Sequence, residues 1–315
     1  MAPIDSSIEE NSLTNKRIGF VGVGAMGMPM AKRLLDAGYE VVFTSRRAET
    51  IELLERAGGR AVPNPLIVAE ESDIFLTCLP ADAELSEVYL GPEGVVEYLK
   101  PSSTIIDFST TSPMMIKRVA AEAVERGIRV VDAPVSGGVW GAERGTLTIM
   151  AGCDEQVLDE VRPILSVLSQ SIFRVGDVGM GKIFKLVNNA LTGTMMVLIG
   201  ETLGVAANAG ADLELLHEVV SSSSGKSAVW SDSVPKLLHG DDSAPGFRLE
   251  LMRKDIRLAA SLGEDLGTPM PLTSLALQFF TAACARGMGK QSASDVANIV
   301  GRMSGAGFLQ ANGGK

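Results

Sequence analysis

Histidine and cysteine are scarce in this 315-residue chain, which has only His217, His239, Cys78, Cys153 and Cys284. Two histidines are too few to build a metal cluster, and both read as helix or surface residues. The cysteines lie far apart, are odd in number and form no CxxC pair. That argues against a zinc site or disulfide framework and points to a reducing, cytoplasmic compartment. Basic charge is also short: 28 Lys and Arg stand against 38 Asp and Glu, a net charge of −10. A nucleic-acid partner needs a basic face to neutralise phosphates, so that class is set aside, although a local basic pocket could still hold a small anion. Met1–Asn15 lacks both the apolar stretch of a signal peptide and the arginine bias of a transit peptide, and is expected to be a disordered lead-in. Leu186–Ala209 is apolar enough to raise the question of a membrane span. Asn188, Asn189, Thr192, Thr194 and Glu201 interrupt it, so a long buried helix bridging two domains is expected instead.

Two domains suit the length, and 46% hydrophobic with 21% charged residues suits a globular enzyme with a sizeable core. Short apolar runs at 17–21, 40–44, 73–79, 104–108 and 129–133 read as strands. Between them, 28–37, 48–57 and 113–125 carry apolar residues at helical spacing. The alternation predicts a parallel sheet covered on both faces, with 147–151 and 172–175 extending it around a helix at 154–168. After Gly179 only helical patterns follow, at 182–209, 212–221, 234–238, 249–266 and 271–285. The expected organisation is a tail at 1–15, an α/β domain at 16–179 and an all-α domain at 180–315, joined by the long interdomain helix.

The chemistry starts at Gly22-Val23-Gly24-Ala25-Met26-Gly27, a G-x-G-x-x-G turn that follows a strand and opens a helix. Gly22 permits the tight turn, Gly24 lets a pyrophosphate approach the backbone, and Gly27 lets helix and strand pack closely. The helix N-terminus offers free N–H groups to the phosphates, so a dinucleotide is the expected cofactor. The second strand ends in Ser45-Arg46-Arg47, with no carboxylate before Glu49. An acidic residue there would accept the ribose 2′-hydroxyl of NAD. Two arginines and a serine instead suit a 2′-phosphate, and NADP is expected over NAD, unless the arginines are merely solvated residues of the next helix.

Four more segments fall in order: Cys78-Leu79-Pro80; Ser109-Thr110-Thr111-Ser112-Pro113; Asp132-Ala-Pro-Val-Ser136-Gly137-Gly138; and Gly179-Met-Gly181 leading through Lys182 to Lys185 and Asn188-Asn189. Phe247, Leu251 and Lys254-Asp255 come later. From Lys16 to about Val300 this set resembles the β-hydroxyacid dehydrogenase family, which includes 3-hydroxyisobutyrate dehydrogenase and the tartronate, glyoxylate and succinic semialdehyde reductases. The resemblance implies a Rossmann-type domain, an all-helical domain serving oligomerisation as a homodimer or homotetramer, and a small carboxylate-bearing substrate in a cleft between the domains. It also implies that Lys185 is catalytic, that Ser136, Gly137 and Gly138 hold the substrate carboxylate and that Asn189 orients the reacting end. Leu79, Pro80 and Thr110 would line the cofactor, with Lys254 closing over it and Asp255 either structural or orienting that lysine.

The residues themselves support part of this. Lys185 and Asn189, four apart, share one helix face, and a polar stripe on an apolar helix needs a partner that an oxygen-rich substrate would supply. A lysine ammonium beside a carbonyl oxygen can stabilise developing charge and donate the proton. The bland alternatives are a snorkelling lysine and a simple glycine turn at 136–138. Trp230 and Phe247 are equally readable as cleft lining or core. Rival activities are oxidation of a β-hydroxy amino acid or sugar acid, imine reduction, which Lys185 weighs against, and a non-catalytic dinucleotide sensor, which would have no need of Lys185, Asn189 and Ser136 together.

Overall fold

The computed structural model describes residues 16–240, 246–303 and 305, and the expected N-terminal tail lies outside them. The chain divides into two compact units, Met1–Lys185 and Leu186–Lys315.

In the first unit the strands are β1 (Ile18–Val21), β2 (Val41–Thr44), β3 (Arg60–Ala61), β4 (Ile74–Thr77), β5 (Thr104–Asp107), β6 (Arg129–Asp132), β7 (Val135–Ser136), β8 (Leu147–Gly152) and β9 (Ser169–Gly176). Its helices are α1 (Gly27–Asp36), α2 (Ala48–Arg56), α3 (Pro65–Glu71), α4 (Asp82–Leu90), α5 (Pro113–Val124), α6 (Gly138–Arg144) and α7 (Glu155–Leu168). The strands form one sheet in the order β3-β2-β1-β4-β5-β6-β8-β7, with β9 paired to β8. Alternate side chains feed two cores. Phe20, Leu76, Ile106 and Val131 pack with Met30, Leu34, Leu54 and the α7 leucines on one face, while Val21, Phe75, Ile105 and Val130 pack with Val68, Leu85, Ile116 and Val119 on the other. Local signals set the helix starts. The Ser112 hydroxyl accepts from the Met115 N–H, and Pro113 fills the first position of α5.

The parallel sheet expected from the alternation is present from β1 to β6, and the extension beyond it makes the whole sheet mixed. From β1 to β6 it is parallel, but β8 runs antiparallel to β6 and β7. Residues 137–146 are too few to carry the chain back for a parallel return, which takes a dozen or more, so it reverses through the short α6. The 14-residue α7 is long enough, and β9 accordingly lies parallel to β8.

The long helix α8 (Met180–Asn208) begins in the first unit and continues into the second. The second unit also contains α9 (Leu213–Ser221), α10 (Ala228–His239), α11 (Leu249–Asp265), α12 (Pro271–Ala285) and α13 (Val296–Met303). Leu186 and Ala190 of α8 pack with Ala259 of α11, and Val197 joins Met252, Ile256 and Phe280. Gly193 makes the close approach possible, since a Cβ there would collide with Ile256. Among the described residues α8 alone has the length and composition of a membrane span. It is not the wholly buried helix expected, because Phe184, Val187, Leu191, Leu198 and Val205 are exposed along one side.

Candidate functional site

At the end of β1 the chain must turn sharply beside β4. Gly22 has φ 93°, and a Cβ there would collide with the Cys78 carbonyl oxygen. A Cβ on Gly27, at the start of α1, would collide with the Gly22 carbonyl oxygen. Gly24 is different: a Cβ there would meet nothing nearer than Arg47 Nη2 at 3.9 Å. The backbone of the turn is thus open to a phosphate-bearing ligand, as the cradle for a dinucleotide requires, and one of the two predicted arginines leans over it. Val23 is buried beneath the turn, whereas Ala25 and Arg46 are exposed. The turn lies where strand order reverses between β1 and β4, the position at which open α/β sheets bind ligands.

Across the carboxyl ends of the neighbouring strands, register aligns Val21 with Thr77, Thr77 with Asp107, and Asp107 with Asp132. Two carboxylates on adjacent strands in a dry interior repel unless a cation stands between them. Lys182, wholly buried in the first turn of α8, fills that position. Its Nζ lies 2.8 Å from Asp107 Oδ2 and 2.8 Å from Asp132 Oδ1, and it donates to the Asp107 carbonyl oxygen at 3.1 Å. Burial alone would push the Lys182 ammonium down. The charges of Asp107 and Asp132, and its hydrogen bonds to both, more than offset that and hold it above the ordinary lysine value. The remaining negative charge is met by backbone donors, since Asp132 Oδ2 accepts from the N–H groups of Gly179 and Lys182 at 3.0 Å each. Gly179 has no side chain with which to cap α8, and Asp132 caps it from β6.

The same cluster reaches the loops after β4 and β5. Asp107 Oδ1 accepts from the Thr77 and Ser109 hydroxyls, both at 2.6 Å, and Ser109 Oγ accepts from the Leu79 N–H at 2.8 Å. Because the Thr77 proton is committed to Asp107, the buried Tyr89 hydroxyl donates to Thr77 Oγ1 at 2.9 Å. Burial, with the charge of Asp107, raises that phenol well above its ordinary value. Leu79 and Ser109 are therefore joined by one hydrogen bond, and Thr110 follows directly. Pro80 is exposed at the rim.

Ser136 sits on β7, paired with Thr148, and Gly137 and Gly138 have φ 129° and 62°. Both glycines meet a backbone requirement, so they support the simple-turn reading as fully as a carboxylate cradle. Lys185 is 8% exposed and closes the first unit. In the second unit Asn189, one helical turn further along α8, donates to Asp255 Oδ2 at 2.6 Å, and Lys254 Nζ lies 2.9 Å from Asp255 Oδ1. Asn188 in turn donates to Asn189 Oδ1 at 3.0 Å. Asp255 thereby orients both a predicted substrate ligand and a predicted cofactor ligand. Trp230 belongs to the core with Ile199 and Leu203, its indole N–H directed at the His217 carbonyl, and Phe247 packs against the α11–α12 core.

Asp107, Thr77 and Tyr89 are absent from the residues singled out in the sequence, and Lys182 is named there only on the way to Lys185. A usable signal was present: TIID and RVVD are adjacent strands that both end on Asp. In-register parallel strands bring such residues together, and the pair calls for a buried cation.

A strand order of 3-2-1-4-5-6 with a glycine turn at its switch point defines a dinucleotide-binding α/β domain. Residues 17–176 match the NAD binding domain of 6-phosphogluconate dehydrogenase, and residues 179–300 match the NAD-binding region of NADP-dependent 3-hydroxyisobutyrate dehydrogenase. The chain belongs to the β-hydroxyacid dehydrogenase family and is an NAD(P)-dependent hydroxyacid oxidoreductase. It is 39% identical over 289 residues to 2-(hydroxymethyl)glutarate dehydrogenase of Eubacterium barkeri, covering 92% of this chain and 96% of that protein. With the NAD-dependent L-serine dehydrogenase of Pseudomonas aeruginosa it shares 31% identity over 290 residues, 90% of this chain and 97% of the other. Among solved structures it is similar to the Mycobacterium tuberculosis 3-hydroxyisobutyrate dehydrogenase with L-serine, at TM-score 0.83 and 29% identity, covering 90% of this chain and 99% of that one.

Proposed function

We propose that the protein interconverts a small β-hydroxy acid and its semialdehyde, prefers NADP, and uses Lys185 as the group that exchanges a proton with the substrate oxygen. The observation that carries this is the buried pair on α8, Lys185 with Asn189 one turn on, the latter held by Asp255. The bound dinucleotide supplies or accepts the hydride. As a carbonyl carbon gains hydride its oxygen becomes an alkoxide, and the Lys185 ammonium stabilises that charge and donates the proton; in oxidation the neutral amine takes it back. Asn189 offers an amide whose orientation is fixed. Ser136, with the N–H groups of Gly137 and Gly138, suits the substrate carboxylate. Leu79, Pro80, Thr110 and Lys254 are the further residues that would hold the cofactor.

The NADP preference rests on Arg47 over the glycine turn, with Ser45 and Arg46 beside it. A 2′-phosphate would gain charge-assisted hydrogen bonds there. A second substrate class, β-hydroxy amino acids, is favoured by the relative named as an L-serine dehydrogenase and by the neighbour solved with L-serine. The exposed residues Phe184, Val187, Leu191, Leu198 and Val205 recur along α8 at spacings of three and four or seven, a seam that suits a second copy of this chain in a homodimer or homotetramer. The few, widely separated cysteines suit a reducing cytoplasm.

The test follows NADPH and NADH absorbance with glyoxylate and the succinic, tartronate and methylmalonate semialdehydes, then the reverse reaction with hydroxy acids, serine and threonine. Turnover of a carboxylated substrate favouring NADPH is expected. A preference for NADH would overturn the Arg46/Arg47 assignment, and NADPH binding without turnover would overturn the substrate class. Lys185→Ala is expected to lose several orders of magnitude in kcat with NADPH affinity retained; near-normal turnover would remove Lys185 from the chemistry.

A further inference from the structure

We propose that Lys182 is a positioning residue for the reaction: by bridging the carboxylates at the ends of β5 and β6 it seats the first turn of α8 and so sets where Lys185 stands. The inference rests on the role assigned to Lys185 above. Lys182 is one helical turn before Lys185, so whatever fixes one constrains the other. Four contacts meet at this turn: the Lys182 ammonium on both aspartates, and the Gly179 and Lys182 N–H groups on Asp132. Gly181, between them, leaves no slack, since a Cβ there would lie 2.5 Å from the Met150 carbonyl oxygen and 2.7 Å from that of Asp132.

The far side of the cluster ends at the proposed cofactor loops. Lys182 holds Asp107, Asp107 holds Ser109, and Ser109 holds the Leu79 N–H. One ammonium therefore ties the helix bearing the proposed proton donor to two loops proposed to line the nicotinamide. Stability alone does not explain such a device, because an apolar set of similar volume commonly serves as well or better in a buried site. What the charged cluster supplies and an apolar one does not is a single register between α8 and the strand ends. Displacing a reacting group by about 1 Å can cost on the order of a hundredfold in rate, so the register bears directly on turnover.

The experiment compares the wild-type enzyme with Lys182→Gln and Asp132→Asn, well below their melting temperatures. The substitution Asp132→Asn keeps an oxygen for the two backbone N–H groups while removing one ion pair, and serves if Lys182→Gln does not fold. For Lys182→Gln, kcat is expected to fall about 10–100-fold, with NADPH dissociation constant and substrate KM changed less than about threefold. Hydrogen exchange of peptides covering 177–185 is expected to accelerate, while peptides from β1 and α1 keep their protection. Asp132→Asn is expected to show the same pattern to a smaller degree. A lower melting temperature with kcat and exchange at 177–185 unchanged would reduce Lys182 to a structural residue and overturn the proposal. Exchange needs no substrate, so an inactive wild-type enzyme would refute the function proposed above, while normal protection in the variants would refute this inference.

Discussion

Replacing Lys182 by methionine removes the ammonium at nearly constant volume and leaves two carboxylates facing each other in a dry site. Each of their near oxygens lies 2.8 Å from Nζ, so the two are within about twice that distance of each other. At an effective dielectric constant of about 20, two unit charges roughly 5 Å apart repel by about 3 kcal/mol. Breaking a buried pair by removing one partner costs about 3–5 kcal/mol in general, which agrees. With an unfolding entropy of about 2.1 cal/mol/K per residue, a first unit that unfolds cooperatively should melt about 8–13 °C lower. The double variant Lys182→Met/Asp132→Asn leaves only Asp107 charged, and that carboxylate still accepts from Thr77 and Ser109. It should therefore be more stable than Lys182→Met alone, a non-additivity of about 1–3 kcal/mol. The pH dependence has a definite sign. The folded Lys182 pKa lies above its ordinary 10.5, so its stabilisation is fully present below that value and is lost only as pH rises through the folded pKa. Thermal melts by circular dichroism between pH 7 and 9 should show a constant deficit for Lys182→Met. A variant melting within about 2 °C of the wild type, or a double variant that loses the sum of both single effects, would refute the reasoning.

Two further outcomes follow from local geometry. Gly22→Ala adds both a left-handed backbone penalty and a collision with the Cys78 carbonyl, whereas Gly38, at φ 88°, has nothing within 4 Å of a Cβ. Gly22→Ala should abolish measurable NADPH binding and cost several-fold more stability than Gly38→Ala, which should cost about 1 kcal/mol with binding intact; equal effects would show that the turn is not sterically limited. Burial pushes the Cys153 thiol up to about 11, the nearby Arg174 only partly opposing it. The thiolate is the reactive form, so native protein at pH 8 should present at most the half-buried Cys78 and Cys284 to a thiol reagent. Rapid labelling of Cys153, located by mass spectrometry, would contradict this.

Elements that satisfy a single strong requirement were legible in the sequence. The strands β1, β4, β5 and β6 are continuous apolar runs because both faces are covered, and the Gly22 turn is marked because only glycine fits its φ and its neighbour. Short or weakly patterned elements were not. The two-residue β7 and seven-residue α6 are too brief to show a period, and α4, with Asp82, Glu84 and Glu87 among its apolar residues, has almost no amphipathic contrast. The reversal of β8 was hidden for the same reason: direction depends on the length of a connection whose elements left no trace.

The buried charges show a different kind of illegibility. Read singly, Asp107 and Asp132 look like polar residues ending strands, and Lys182 looks like a lesser neighbour of Lys185. Their meaning is pairwise, and it appears only when register sets the two aspartates side by side and the helix start supplies both the ammonium and two backbone donors. Every member of the cluster stands at a strand's carboxyl end, on a loop or helix packed against one, or in the first turn of α8. Those are the places where the backbone leaves donors unpaired and an interior charge is least costly. The same places surround the ligand crevice of an open α/β sheet. A fold that binds its dinucleotide at the strand ends therefore has unpaired donors available beneath the site, and here the chain uses them to hold charge that joins the loops after β4 and β5 to α8.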